Sequence, residues 1–538
     1  MNGFRPPVPS RTVLIAATLV VIVAAVRAPL LGIPLERDEG EYSYIAWRLG
    51  YNELPYRDWV DQKPPGVFYV YRFALALPLE PIRGIHFVGL LFAAASACAL
   101  FFLGLRFMDR YWAWLGAALF ALLGTDPLVQ GTAANTELFM LCPLILSQIA
   151  FVASTTRSRR SVPFMVLAGA LTGAALMFKQ VAIVNWLFMS ALYPVFAGRE
   201  KRWLRAVSFA AWSATGVLAV TGLVVLYFWR RGGLEELVDN VFIHNLQYIG
   251  TVGASTRLEY CWGTIRILAR TQVIVWAFAL VGLAGLLISG KSKWCLLLAG
   301  WLVTSAIGVS ASGYFFPHYF QQLLPSLALA ATAGAEWIAA IELWKIVLVR
   351  IRWAGMCLVL AVFPAITLWP FWFTYSPVDA VRRIYPGNFF AEMPEFAQRL
   401  KSVTPSEAPV FIFGAEPELL FYARRPSATR YIFLFPLYGP YKSARERQLA
   451  AAKEIERAQP LAAVYLPNAL FFIIGTDQFF TQWSQSYLQD NFYADTWLTT
   501  DQLGVARILK ATDSGPDSLL AEKKLIGALF VRKPTSIP

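Results

Sequence analysis

Residues 34–66 read PLERDEGEYSYIAWRLGYNELPYRDWVDQKPPG and follow directly on an apolar run over 12–33. A run of about 20 apolar residues is enough to cross a bilayer. Arg37, Asp38, Glu39 and Glu41 therefore stand at a membrane boundary, where charge must face water, protein or a polar cavity.

Between Leu35 and Gly50, apolar residues fall at Tyr42, Ile45, Ala46 and Leu49. That spacing predicts a helix with one face on the bilayer, leaving Glu39, Ser43 and Arg48 toward water or protein. Asp38 sits where the first span meets this helix. It either acts as a general base or cation ligand near a lipid phosphate, or caps the helix and pairs with Arg37. Lys63 precedes Pro64 and Pro65, which stiffen the chain. Its compact charge suits a phosphate oxygen, and equally an interfacial lysine reaching for water.

The rest of the composition agrees with a membrane setting. The 538 residues are 57% hydrophobic and 15% charged, with a mean hydropathy of +0.51, which points to a multi-span protein. The net charge of +13 is spread through short loops, so nucleic acid is excluded as the main partner. Cys98, Cys142, Cys261, Cys295 and Cys357 form no CxxC pair and read as small apolar residues. The first apolar run has no obvious cleavage site and is read as a retained span.

Spans are expected near 12–33, 86–105, 111–124, 137–153, 162–178, 181–198, 206–228, 271–289, 294–311, 319–340 and 353–374. Residues 67–79 are too short to cross and are read as interfacial or re-entrant. With a cytoplasmic N-terminus, the inner loops are RFMDR, TTRSRRS, GREKRWLR, GKSK and the segment holding Lys345, Arg350 and Arg352. All are basic, as the positive-inside rule requires, and the outer loop at 125–136 carries no Lys or Arg. Residues 34–85, 229–264 and the chain after about 375 then lie outside. In that tail, APVFIFGAEPELLFYARR, YIFLF and LAAVYLP alternate with polar stretches, predicting a small soluble α/β domain over 376–538.

One literal motif is set aside. GLLISGKS at 285–292 fits the phosphate-loop pattern, but spans flank it where a strand and a helix N-terminus are needed. More telling are the polar residues at the outer mouths of the spans. Asn135 and Glu137 in TAANTELFM either place a carboxylate on a helix dipole or join Asp38. Lys179 and Gln180 divide two apolar runs, as a hairpin turn or as an anion site. Tyr314, His318, Tyr319 and Gln321 read as an aromatic belt or as further site residues, His244 with Asn245 is a weaker candidate, and His86 reads as structural.

Asp38, Lys63, Glu137, Lys179 and His318 thus share one side of the membrane, which suggests one cavity. Acids and lysines together suit an anionic lipid-phosphate substrate whose sugar is attacked by an acceptor hydroxyl. A secondary transporter or flippase also carries charges between spans, but no pair of matching interrupted spans divides this chain into halves.

RDEGEYSYIA, PYRDWVDQKPPGVFYVY, NTELFM, FKQ and PHYFQQLLPSLALAA, in this order, resemble the bacterial protein-mannosyltransferase-like and aminoarabinose-transferase-like membrane glycosyltransferases. The resemblance covers roughly residues 12–375. It implies a mainly α, polytopic C-type glycosyltransferase fold of about eleven to thirteen spans, with residues 1–375 as the transferase domain. It implies inverting transfer of a sugar from a polyprenyl phosphate to a lipid, glycan or protein acceptor, outside a bacterial cytoplasmic membrane. Asp38 falls on the family's essential acidic residue, with Glu39 beside it as the second catalytic candidate, and Lys63 and Lys179 fall on the donor-phosphate contacts. Glu137 matches a polar position in a later outer loop of the family, and Asn135, Tyr314 and His318 are read beside it as supporting residues. If a divalent metal is present, Asp38 and Glu137 are its expected ligands.

Overall fold

The computed structural model describes residues 10–155, 161–198, 202–341, 349–439, 441–467, 477–500, 506–511 and 525–534. Parts of the basic loops (156–160 and 199–201) and Lys345 lie outside the described residues.

Helix α1 (Ser10–Arg27) leads into two short helices, α2 (Arg37–Arg48) and α3 (Gly66–Leu75). Six apolar helices follow: α4 (Pro81–Gly104), α5 (Arg110–Leu123), α6 (Thr136–Ser154), α7 (Ser161–Leu176), α8 (Ala182–Phe196) and α9 (Arg202–Arg230). A second insertion holds α10 (Leu234–Val238), a π-helical turn over Asp239–His244, and α11 (Asn245–Ile249). Then come α12 (Ala254–Ile288), α13 (Ser292–Ser310), α14 (Leu324–Ala340) and a span of two halves, α15 (Val349–Cys357) and α16 (Phe363–Phe373).

Among the described residues, eight helical segments are long and apolar enough to cross a membrane. The chain is thus a multi-pass membrane protein, and every expected span falls on a helix. Those at 111–124, 162–178 and 181–198 correspond to the shorter apolar helices α5, α7 and α8. Leu204, Val207, Leu218 and Leu223 of α9 and Leu280 and Ile288 of α12 are exposed, as side chains facing lipid are. Inside the bundle, α12 and α14 cross at Gly282, where an added Cβ would lie 1.8 Å from the Ala330 carbonyl oxygen. Small residues let the two backbones meet.

The polar junctions between helices are tied by specific bonds. Arg27, buried at the end of α1, donates to the carbonyls of Gly124 (2.6 Å) and Gly131 (3.0 Å) and so pins the loop before α6. In the phosphate-loop look-alike, α12 simply ends, Gly290 turns at φ +71°, and Lys291 donates to the Phe107 carbonyl. No strand precedes it, so the motif is a helix hairpin.

The chain beyond α16 folds into helices α17 (Pro377–Ile384), α18 (Met393–Val403), α19 (Glu418–Ala423), α20 (Ala444–Ala458) and α21 (Phe479–Asn491) around a five-stranded sheet. The strands are β1 (Val410–Phe413), β2 (Ala462–Tyr465), β3 (Phe492–Thr500), β4 (Ala506–Lys510) and β5 (Leu525–Arg532), in the order β1-β2-β5-β3-β4. Only β1 and β2 pair in parallel. VFIF and AAVY form those two strands, whereas YIFLF forms no strand and runs as a buried loop into a 3-10 turn at Phe435–Leu437.

This domain corrects the expectation for α2. Glu39 to Ala46 are buried without interruption, so no face of the helix lies on lipid. Helix α19 covers it, and several bonds join the two parts. Arg37 donates to the Ala415 carbonyl (2.7 Å) and pairs with Glu416 (3.3 Å). The Tyr422 hydroxyl accepts from Leu35 N (2.8 Å), the Tyr44 hydroxyl accepts from Ser427 N (2.8 Å), and Val60 N donates to the Arg430 carbonyl (3.0 Å). At a second contact Arg447 of α20 reaches Asp239 (2.9 Å) and His244 Nδ1 (3.2 Å).

Candidate active site

Helix α2 begins with a capping box: the Glu36 side chain accepts from Glu39 N, and Glu39 accepts from Glu36 N. Glu36, not Asp38, is therefore the cap, and Arg37 turns to Glu416 rather than to Asp38. Both alternatives to a site role for Asp38 fall away. Its side chain instead points to Lys63, whose ammonium lies 3.5 Å from Asp38 Oδ1, 3.0 Å from Glu41 Oε2 and 3.9 Å from Asp61 Oδ1.

Local chain chemistry places the lysine. The Asp61 carboxylate accepts from Lys63 N (2.8 Å), and the Tyr56 hydroxyl donates to the Lys63 carbonyl (2.6 Å). Pro64 and Pro65 then lead straight into α3. Tyr42 lies beneath the ammonium (5.3 Å to the ring centre), and Phe433 from the C-terminal domain lies across it (5.9 Å).

Exposure sorts the three carboxylates. The Asp38 side chain is 28% exposed, Glu41 2% and Asp61 none. Asp38 is the one a second molecule can touch. Burial works against its charge, but Lys63, His318, Arg37 and Lys179 outweigh burial and hold its pKa below the ordinary aspartate value. Burial also opposes charge on Lys63, yet Asp38, Asp61 and Glu41 keep its pKa well above that of a free lysine. At neutral pH this centre holds an ionised acid beside an ionised base.

A second ion pair faces the same space. Glu137 in the first turn of α6 binds Lys179, which projects from the turn between α7 and α8. Lys179 stands over the Tyr319 ring at 3.5 Å, and Thr136 donates to Glu137 (3.1 Å). Burial lowers the Lys179 pKa, Glu137 and Asp38 resisting. His318, in the 3-10 turn Pro317–Leu323 before α14, shares a hydrogen bond with the Gln130 side chain (3.0 Å). Asp38 interacts electrostatically with Lys63, Lys179 and His318, and Glu137 with Lys179 and His318, so these five side chains face one region.

Other candidates stand differently. Asn135 caps α6 without a side-chain bond, and its Oδ1 is buried with no partner. Tyr314 bonds Thr251 (3.0 Å), stacks on Tyr248 and reaches His318 through Phe316, in a ladder with centroids 5.5 and 5.9 Å apart. The assignment of Glu39 as a catalytic acid needs correction. Its Oε1 binds His86 Nε2 (2.9 Å) and Ala134 N (2.7 Å), its Oε2 serves the capping box, and the residue is 1% exposed. Glu39 is a latch between α2, α4 and the loop before α6. His86 is structural through that latch.

Asp38 and Glu137, named as ligands for a divalent ion, each face a lysine ammonium. Among the described residues, no three His, Cys, Asp or Glu side chains are grouped to hold a metal. The residues present do not fit one, and no chemistry below is routed through it.

Glu41, Asp61 and Phe433 also line this site, though the sequence alone does not single them out as site residues. Asp61 carries a visible signal, two residues before Lys63 in DQKPPG; Phe433 carries none.

No protein-family model matches the sequence, and no curated protein matches it. Solved structures do. The chain is similar to ArnT from Cupriavidus metallidurans bound to undecaprenyl phosphate, at 15% identity and a TM-score of 0.59, covering 98% of this chain and 99% of that one. It is also similar to the Archaeoglobus fulgidus oligosaccharyltransferase in complex with Zn and sulfate, at 12% identity and a TM-score of 0.51, covering 94% and 74%. The same archaeal enzyme, AglB, in complex with an inhibitory peptide and a dolichol-phosphate, matches equally at 0.51. The chain has the fold of these membrane glycosyltransferases, the C-type glycosyltransferase fold.

Proposed function

We propose that this protein is an integral-membrane glycosyltransferase that moves a sugar from a polyprenyl-phosphate carrier to an acceptor hydroxyl at the outer face of a bacterial cytoplasmic membrane. The observation that carries this reading is the placement of one reachable carboxylate, Asp38, beside two lysines at the mouth of a helix bundle with this fold. The undecaprenyl phosphate on ArnT and the dolichol-phosphate on AglB support a lipid-linked donor.

Lys63 and Lys179 meet the phosphate oxygens of the donor. The acceptor oxygen attacks the anomeric carbon from the face opposite the phosphate, and the carbon–oxygen bond to phosphate breaks. The phosphate leaves with the bonding pair, inverting the centre, and the two ammonium groups stabilise the charge that grows on it. The acceptor proton passes to Asp38, which is ionised at neutral pH and so can receive it. Glu137 holds Lys179 in place until the phosphate arrives. Residues 1–375 form the transferase part in this reading, and residues 376–538 an outer domain that walls the cavity.

Purified protein incubated with a labelled polyprenyl-phosphate sugar and candidate acceptors tests the proposal. A transferase releases free polyprenyl phosphate and labelled acceptor. A transporter or flippase returns the donor intact, and that result overturns the reading.

A further inference from the structure

We propose that Glu41 and Asp61 share a single proton beneath Lys63, and that this pair positions the lysine and limits the negative charge around it. The inference deepens the glycosyl-transfer reading and rests on it for the role of Lys63; the shared proton itself does not.

The geometry is that of two acids with one unfilled place each. Glu41 Oε2 contacts the Lys63 ammonium, and Asp61 Oδ1 accepts from Lys63 N. Their remaining oxygens, Glu41 Oε1 and Asp61 Oδ2, are buried and meet no hydrogen-bond donor. The two carboxyls lie within hydrogen-bonding reach of each other. Two bare carboxylates packed together out of water would each lack a donor and would repel. One proton removes both faults, because a carboxylic acid donates to the carboxylate beside it.

The groups that face the pair leave no better donor. Lys63 and Asp38 are its charged neighbours, Tyr42 packs under the lysine, and the Tyr56 hydroxyl is committed to the Lys63 carbonyl. Burial and then Asp61 push the Glu41 pKa well above the ordinary glutamate value, and burial raises Asp61 as well. The proton belongs to the pair.

The consequence is electrostatic. With Asp38 and Glu137 ionised and both lysines charged, the shared proton leaves the site one net negative charge instead of two. An incoming phosphate then meets a site that repels it less than one carrying two net negative charges would. Loss of the proton at high pH should weaken donor binding at least about tenfold, given one more charge within a few ångströms at a protein-like dielectric.

Infrared difference spectroscopy on the full chain in detergent tests the pair without any activity. Wild type minus Glu41→Gln at neutral pH should show the loss of a protonated-carboxyl C=O band that shifts in heavy water. A difference containing only carboxylate bands overturns the proposal. Should Glu41→Gln fail to fold, Asp61→Asn serves instead, because the Glu41 band must then move as its acceptor changes to an amide; an unmoved band overturns it. The donor KM measured against pH tests the positioning role. In the wild type it should rise on the alkaline side, and in Glu41→Gln that rise should be absent; identical profiles overturn the role. A wild type with no transferase activity would sink the parent reading, while the infrared result would still decide the pair.

Discussion

Gly40 lies directly against Glu418: a Cβ added to Gly40 would sit 2.5 Å from the Glu418 Cβ and 2.7 Å from its backbone nitrogen. Helices α2 and α19 therefore meet backbone to backbone, two residues from Asp38. In an unpacked helix Gly→Ala stabilises. Here Gly40→Ala should destabilise by about 1–3 kcal/mol, because the contact is with a neighbouring helix's main chain and cannot relax cheaply. Thermal melting checks the sign, and transfer should fall with it as Asp38 is displaced.

Asp38→Asn should lower turnover by about 10²–10⁴-fold. Lys63 keeps Glu41 and Asp61 in that variant, so its melting temperature should match the wild type. Release of free polyprenyl phosphate measures the first quantity and differential scanning fluorimetry the second. Full turnover in Asp38→Asn would remove this residue from the mechanism.

Lys179→Met leaves the buried Glu137 carboxylate without its cation and should cost about 3–5 kcal/mol. Lys179→Met/Glu137→Gln removes both charges and should recover most of that stability. Transfer should stay low in the double variant, since the phosphate contact is still missing. A double variant that regains turnover would make Lys179 a purely structural residue.

His244 joins the second insertion to α20 and is held neutral. Burial, with Arg447 beside it, lowers its pKa to about 3. An unfolded histidine takes up a proton below about 6.5, whereas the folded one does so only near the lowered value. Its contribution is therefore present above about pH 6.5 and is lost as pH falls toward 3, at up to about 1.4 kcal/mol per pH unit. Melting curves from pH 7 to 4 should show a slope that His244→Gln reduces.

The reach of the sequence differs from residue to residue. Spans were legible because twenty-residue apolar runs have few other uses, and Lys63, Glu137 and Lys179 were legible because charge at a span mouth is costly. The outward face of α2 was misread: Tyr42, Ile45 and Ala46 have the spacing of a bilayer-facing stripe, and nothing local says that α19 will cover the rest. Glu39 and Asp38 are neighbours in RDEGEY, yet the rotation of about 100° between successive helical residues sends the first to His86 and the second to Lys63. Only the three-dimensional partner separates a latch from a site acid. Phe433 was invisible for the same reason, since a residue in a buried loop acquires its role from a contact with chain far away.

The bonds that hold α2 against the C-terminal domain join residues 378 and 383 positions apart, at Arg37–Ala415 and Tyr44–Ser427. A chain made from its N-terminus places the loop after the first span long before its last domain exists. Contacts so distant in sequence form late. The wall that Phe433 builds over Lys63 is therefore among the last pieces to arrive, and the half-made protein carries its charged pocket open.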